Sequence, residues 1–236
     1  MSTNGIRGVL FDKDGTLLDF DATWPPAYRA IAAELSELAG APELAATLLR
    51  LGGYDDAGGL DHVSVLACGT TAEIVAFWAV RPELAAIPDV AALIDRRFLE
   101  FARRAPAVID DLAGLFTRLR ARGLALGLAT NDTGAAANEW LAEVGVHHLL
   151  DFVSGADSGF GAKPDPAVLH AFCAATDLRP AEVAVVGDAV KDIELARAAN
   201  AGLAVSVLTG VTGRERLAAR ADHVLSSIAE LETVLL

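Results

Sequence analysis

The stretch Val9-Leu10-Phe11-Asp12-Lys13-Asp14-Gly15-Thr16-Leu17-Leu18-Asp19 decides the fold of this chain. A short apolar run ends at Asp12, and a glycine turn follows. Apolar runs bounded by turn residues are typical of buried strands that lead into a loop. We therefore predict a first strand over 9–11 with carboxylates in the loop at its carboxyl end.

Beyond Pro106, apolar runs alternate with segments of helical periodicity. The runs predict strands over 124–129, 152–153, 183–186, 203–208 and 223–225, and helices between them. Strands that alternate with helices form βαβ units, and hence a parallel sheet covered on both faces. The predicted fold class is α/β, with a Rossmann-like parallel sheet core and an inserted α-helical cap domain.

The insertion follows the first strand. Between Phe20 and Pro106, apolar residues repeat at helical spacing and no convincing strand alternation is present. The economical division is an α/β catalytic core over 1–19 and 107–236, with a helical cap over 20–106.

Composition limits the kind of partner. The 236 residues are 53% apolar, which argues against a disordered chain. Asp and Glu number 32 against 19 Lys and Arg, a net charge of −13 that disfavours nucleic acid or an anionic membrane as partner. The two cysteines form no CxxC pair, residues 1–7 carry no apolar signal core, and no membrane-length apolar run follows. We therefore expect a cytoplasmic protein.

Polar residues cluster at the predicted strand ends, where open α/β sheets bind their ligands. They are Asp12, Asp14, Thr130, Asn131, Asp132, Lys163, Asp188 and Asp192. Carboxylates that converge raise each other's pKa and destabilise a fold, and a divalent cation removes that cost. Hard oxygen ligands without His or Cys favour Mg²⁺ over zinc.

Each of these residues also fits an ordinary structural role. Asp14 with Gly15 could form a turn, and Thr130 and Asp132 could cap a helix. Asp188 could suit the positive end of a helix dipole. Their joint occurrence at successive strand ends favours a functional site.

Four motifs resemble those of the haloacid dehalogenase superfamily, in family order. They are DxDGT at Asp12–Thr16, Thr130-Asn131, KPxP at Lys163–Pro166 and GDxxxD at Gly187–Asp192. The insertion after the first motif is similar to the type-one helical cap of phosphoglycolate-phosphatase-like members.

The resemblance implies a phosphatase that hydrolyses a small phosphate monoester, with phosphoglycolate as the leading substrate, through an aspartyl phosphate. Asp12 would be the nucleophile and Asp14 the general acid and base. Thr130 and Asn131 would bind the phosphoryl group, and Lys163 would bind it, neutralise developing charge and orient Asp12.

The resemblance also implies Mg²⁺ as cofactor. Its ligands would be Asp12, the Asp14 carbonyl and Asp188, with Asp192 binding directly or through water. Lys13, which lies between the two motif aspartates, is expected to be a solvated spacer.

Two alternatives stay open. A sugar-phosphate mutase of the same superfamily would use the same core and cap and release little phosphate. A non-enzymatic phosphoaccepting switch protein would also use a strand-end Asp, a Thr, a Lys and Mg²⁺. Such receiver domains are far shorter and lack an acid two residues beyond the nucleophile. Asp14 also argues against a dehalogenase, which usually lacks that acid.

Overall fold

A computed structural model describes residues 5–55 and 57–235 of the chain. Within them, six strands form one parallel sheet in the order β3-β2-β1-β4-β5-β6. The strands are β1 (Gly8–Phe11), β2 (Ala125–Ala129), β3 (Phe152–Ser154), β4 (Val183–Gly187), β5 (Leu203–Val207) and β6 (His223–Leu225). The predicted α/β fold and its six strands are confirmed.

The helices are numbered in chain order. They are α1 (Phe20–Ala39), α2 (Leu44–Leu51), α3 (Val65–Cys68), α4 (Thr71–Ala79), α5 (Val90–Arg103), α6 (Leu112–Ala121), α7 (Gly134–Glu143), α8 (Ala167–Thr176), α9 (Val190–Ala198), α10 (Arg214–Ala218) and α11 (Glu232–Leu235). Short 3₁₀ turns occupy Pro82–Leu84, His147–Leu149, Pro180–Glu182 and Ile228–Glu230.

The chain divides into two compact units. One comprises the residues up to Phe20 and those from Pro106 onward, and the other is Asp21–Ala105. The sheet belongs to the first unit. Its central strand is β1, in which Leu10 lies opposite Gly127 of β2 and Val185 of β4.

All four residues of β1 are buried, because β2 and β4 pair with its two edges and helices cover the faces of the sheet. Leu10 shares an apolar core with Phe172 of α8 and Leu195 of α9. Burial of each such side chain contributes roughly 1.5–3 kcal/mol, so the core fixes where β1 ends and its loop begins.

The second unit is built from helices. Its core holds Trp24, Tyr28, Trp78 and Phe98, with ring centroids 5.9–6.3 Å apart in the closest pairs. The described residues of this unit form no strand, and one isolated antiparallel bridge joins Tyr54 to Leu60.

The two cysteines and the character of the helices complete the description of the fold. Both cysteines carry free thiols, but Cys173 is buried and Cys68 only partly so, and the Cys68 thiol donates to the Ser64 carbonyl at 3.2 Å. Across 5–55 and 57–235, no helix combines the length and the apolar character needed to cross a membrane. Positions 1–4 of the opening segment lie outside the described residues.

Candidate active site

The predicted site residues meet at one edge of the sheet. Asp12 follows β1, Thr130 follows β2 and Asp188 follows β4, and the three strands are parallel neighbours. The carboxyl ends of parallel neighbours lie side by side, so these three loops are adjacent. Lys163 precedes α8, and its ammonium reaches Asp12.

Three buried carboxylates and one buried ammonium form what we call the Lys163 cluster. One carboxylate oxygen from each of Asp12, Asp188 and Asp192 lies within 4.8 Å of the others. Nζ of Lys163 lies 2.5 Å from Oδ1 of Asp12 and 2.7 Å from Oδ1 of Asp192. The three carboxylates could hold a metal ion, since each offers an oxygen donor at short mutual distance.

Acidic side chains outnumber basic ones in the Lys163 cluster. Burial, followed by the negative charges of Asp12 and Asp192, raises the pKa of Asp188 well above its ordinary value. Burial opposes the charged form of Lys163, but Asp12 and Asp192 outweigh it and raise the pKa of the lysine. The lysine therefore stays charged and still leaves an excess of acidic groups.

A second group, which we call the Lys13 cluster, lies beside the first. Nζ of Lys13 contacts Oδ2 of Asp132 at 2.9 Å and Oδ1 of Asp14 at 3.1 Å. The expectation of a solvated Lys13 is wrong, because its side chain is 0% exposed. Burial opposes its charge, but Asp132 and Asp14 more than compensate and raise the pKa of Lys13 above its usual range.

The loop after β2 is tied to both clusters. Thr130 Oγ1 donates to Oδ2 of Asp14 at 3.3 Å and accepts from the Asp132 amide at 3.1 Å. Oδ1 of Asn131 accepts from the Lys163 amide at 2.9 Å, so the Asn131 side chain holds the Lys163 loop in place. A substrate contact by Asn131 would therefore come from its backbone amide.

Gly15 allows the loop after β1 to turn and to lie close to Asp188. Gly15 has φ of 77°, a conformation that side chains with a Cβ rarely adopt. A Cβ at this position would also lie 2.8 Å from Oδ2 of Asp188. Gly15 thus permits both the turn after Asp14 and the approach of the loop after β4.

The sequence identified the members of the Lys163 cluster but not the role of Asp132. A helix cap was the ordinary interpretation of Asp132, whereas Thr133 is the residue that caps α7, accepting from the Ala136 amide at 3.2 Å. Asp132 instead accepts from the Thr133 amide at 2.7 Å and contacts Lys13 with its other oxygen. The acid beside Thr130-Asn131 and the lysine inside DxDGT were the only signals available.

Comparisons with known proteins agree with this geometry. Residues 6–200 match the family described as haloacid dehalogenase-like hydrolase. The chain belongs to this family. The match spans more than half of the chain and confirms the resemblance read from the four motifs.

Curated relatives carry phosphatase names. A phosphoglycolate phosphatase of Cereibacter sphaeroides is 32% identical over 210 residues, covering 86% of this chain and 85% of the relative. An N-acetylmuramic acid 6-phosphate phosphatase of Pseudomonas putida is 29% identical over 196 residues, covering 81% and 78%. The prediction of an enzyme of the phosphatase class is confirmed.

A solved structure shares the fold. The crystal structure of a predicted phosphoglycolate phosphatase from Haemophilus somnus 129pt superposes with a TM-score of 0.72 at 19% identity and covers all of both chains. At 19% identity, this similarity shows only that the two proteins share a fold.

Proposed function

We propose that this haloacid dehalogenase-like hydrolase is a Mg²⁺-dependent phosphatase that hydrolyses a small phosphorylated metabolite through an aspartyl phosphate on Asp12. One observation carries the proposal: Asp12 contacts a buried ammonium and lies near two further carboxylates, with Asp14 two residues along the same loop. Phosphoryl transfer depends mainly on positioning and charge neutralisation, and this arrangement offers both.

The donor set fits magnesium. Asp12, Asp188 and Asp192 each supply hard oxygen atoms, and this three-residue group contains neither histidine nor cysteine. Burial, followed by the nearby charges of Asp12 and Asp192, raises the pKa of Asp188, so a cation bound beside it would stabilise the ionised carboxylate. We propose that these side chains and the Asp14 carbonyl hold the ion, with Asp192 acting directly or through water. Once bound, Mg²⁺ would offset the negative charge of the carboxylates and of the phosphoryl oxygens.

The first chemical step uses two carboxyl groups of one loop. A carboxylate oxygen of Asp12 attacks phosphorus, and the bond from phosphorus to the ester oxygen breaks. Asp14 gives its proton to that departing oxygen. Lys163, fixed on Asp12 and Asp192, orients the nucleophile and neutralises charge on the phosphoryl group.

The second step regenerates the enzyme. Asp14, now ionised, takes a proton from a water molecule that attacks phosphorus, and the bond between phosphorus and Asp12 breaks. Inorganic phosphate leaves. Thr130 Oγ1 and the amide of Asn131 would hold the phosphoryl oxygens during both steps.

The substrate class follows from the relatives. Both names, phosphoglycolate and N-acetylmuramic acid 6-phosphate, denote phosphate monoesters of organic acids. We propose a substrate of this class for the present chain, with phosphoglycolate first. The acidic composition of the chain is compatible with an anionic substrate only if the local charge of the site is reversed, as a bound cation would do.

The second compact unit, Asp21–Ala105, is proposed as the cap that selects the substrate. Within it, the exposed Arg29 lies with its guanidinium 5.5 Å from the centroid of the Tyr54 ring. If this unit selects the substrate through a cation, Arg29→Met changes the ranking of kcat/KM among acidic phosphate esters. An unchanged ranking would remove Arg29 as a selector.

The test of the proposed function is a panel of phosphate monoesters assayed with Mg²⁺ or with a chelator. We expect turnover with Mg²⁺, phosphate release from phosphoglycolate, and loss of both in Asp12→Asn. Asp177→Asn is a matched control, because Asp177 is exposed and has φ of 54°, which Asn tolerates. Isomer interconversion with little phosphate release would indicate a mutase, and a long-lived phosphoprotein without turnover would indicate a switch.

A further inference from the structure

The Lys13 cluster joins two loops that are distant in the sequence. Lys13 follows β1 and Asp132 follows β2, 119 positions apart, yet their side chains meet at 2.9 Å in a buried pair. The same ammonium donates to Oδ1 of Asp14 at 3.1 Å. A buried lysine keeps its charge only where carboxylates compensate for lost water, so this contact is a specific arrangement of the fold.

We infer that Lys13 is a positioning residue for the acid–base step: its ammonium occupies Oδ1 of Asp14, so that Oδ2 is the oxygen that exchanges a proton with the leaving group. The inference rests on the proposed function, because it assigns the partner of the proposed general acid.

Asp14 needs such support because it is the least enclosed of the charged groups in its cluster. Its side chain is 22% exposed, against 0% for Lys13 and 7% for Asp132. A partly exposed aspartate can rotate about two side-chain bonds, and each wrong rotamer removes the proton donor from the leaving oxygen. The contact of Lys13 with Oδ1 restricts that rotation, and it stays in place when the Thr130 hydroxyl leaves Oδ2 to bind a phosphoryl oxygen.

Lys13 is held by Asp132, which lies at the start of α7. Asp132 is itself held at the start of α7, because its Oδ1 accepts from the Thr133 amide at 2.7 Å and leaves Oδ2 for Lys13. On the other side of Asp14, Thr130 from the end of β2 donates to Oδ2 at 3.3 Å. Lys13 therefore transmits the position of the α7 terminus to Asp14, as a supporting contact must for a precise site.

A positioning role predicts a dependence on the leaving group. An alkoxide is a poor leaving group and needs the proton of Asp14, whereas 4-nitrophenolate is stable enough to depart with little help. Damage to the placement of Asp14 therefore lowers kcat/KM for an alkyl phosphate more than for 4-nitrophenyl phosphate. The value of kcat/KM depends only on the steps up to departure of the first product. The later role of Asp14 as a base therefore does not affect it. A smaller fraction of folded protein would instead lower kcat/KM for the two esters by the same factor.

The experiment compares glycerol 2-phosphate with 4-nitrophenyl phosphate, both with Mg²⁺, in wild-type protein and in Lys13→Met. We expect kcat/KM to fall by about 10²-fold for the alkyl ester and by less than about 5-fold for the aryl ester. Arg122→Met, which also replaces a basic side chain by methionine but at an exposed position, is the control, and its ratio of the two constants stays that of wild type.

Two further variants keep the inference testable if Lys13→Met does not fold. Lys13→Met with Asp132→Asn removes the ammonium together with one of its carboxylates and leaves no excess buried charge from that pair; we expect the same bias toward loss on the alkyl ester. Asp132→Asn alone keeps the lysine and the acceptor for the Thr133 amide, and we expect a smaller loss with the same bias.

Equal losses on the two esters in these variants, or unchanged kcat/KM in Lys13→Met, would overturn the role of Lys13. That result leaves the proposed function intact, because wild-type turnover and its loss in Asp12→Asn are measured separately. Conversely, wild-type protein that hydrolyses neither ester with Mg²⁺ would contradict the proposed function first.

Discussion

The Lys163 cluster and the Lys13 cluster each place a buried lysine between two aspartates, but they differ in charge balance. Lys163 contacts Asp12 and Asp192, and Asp188 adds a third buried carboxylate nearby. Lys13 contacts Asp14 and Asp132. The excess of acid on the Lys163 side provides for a cation, whereas the lysine on the Lys13 side holds its carboxylates in position.

The largest effect is expected from Lys163→Met. Removing one partner of a buried ion pair costs about 3–5 kcal/mol of unfolding free energy, and here both Asp12 and Asp192 lose their ammonium. Hydrolysis of aryl phosphate should also fall by on the order of 10³-fold, because Asp12 loses its orienting partner. Denaturant unfolding in a chelator and steady-state kinetics measure the two losses. A variant as stable and active as Arg122→Met, a change at an exposed basic residue, would show that Lys163 is dispensable.

Asp188→Asn should separate stability from activity. The folded-state pKa of Asp188 is raised, so above its ordinary value near 3.8 the ionised group costs folding free energy. In a chelator at pH 7.5, the neutral amide should therefore stabilise the protein, by about 1–3 kcal/mol, and its carbonyl can still accept from the Val211 amide. The gain should shrink as the pH falls through 3.8, because well below that value the carboxyl group is protonated in both folded and unfolded states. Activity with Mg²⁺ should fall.

The comparison variant for that experiment is Asp132→Asn in the Lys13 cluster. It removes a carboxylate that balances a buried ammonium, so it should destabilise the protein at pH 7.5 rather than stabilise it. If both asparagine variants shift stability in the same direction, the two clusters do not differ in charge balance as we infer.

Binding of Mg²⁺ should sharpen the contrast without any assay of turnover. A ligand at 100 times its dissociation constant adds about 2.7 kcal/mol to the unfolding free energy. Thermal unfolding with increasing Mg²⁺ should show this rise in Tm for wild type and for Asp132→Asn, and a much smaller rise for Asp188→Asn. Equal rises in all three proteins would place the ion away from Asp188.

The sequence predicted the Lys163 cluster because its members stand in ordered motifs at successive strand ends. Asp12 and Asp188 follow recognisable apolar strands, and parallel pairing brings such ends together. The burial of Lys13 could not be predicted in the same way. Lysines are rarely fully buried unless paired, and the pairing of Lys13 with Asp132 depends on a tertiary contact over 119 positions.

In the helical unit too, the sequence predicted the helices but not the contacts between them. Apolar spacing predicted helices around Tyr28 and over α5, and both are present. Spacing does not report which faces meet, so the contact of Phe98 with Trp78 at 6.0 Å emerges only from the structure. The chain divides into compact units at Phe20 and Pro106, and the role of the Asp21–Ala105 unit as a cap is a proposal.

The smallest effect concerns an exposed ion pair, against which both buried clusters can be judged. Glu182 accepts from the side chain and amide of Arg179, and these bonds lower its pKa from an ordinary 4.5 to about 2. A depressed folded-state pKa stabilises the fold above 4.5, and this contribution fades as the pH falls toward 2.

Glu182→Gln should therefore lower Tm at pH 7 and lower it less at pH 3.5. The effect should be slight at both pH values, because solvent screens ion pairs at the surface. Glu215→Gln, at an exposed glutamate, serves as the control. A drop in Tm for Glu182→Gln that is as large at pH 3.5 as at pH 7 would mean that packing or hydrogen bonding, and not the charge of Glu182, stabilises this corner of the fold.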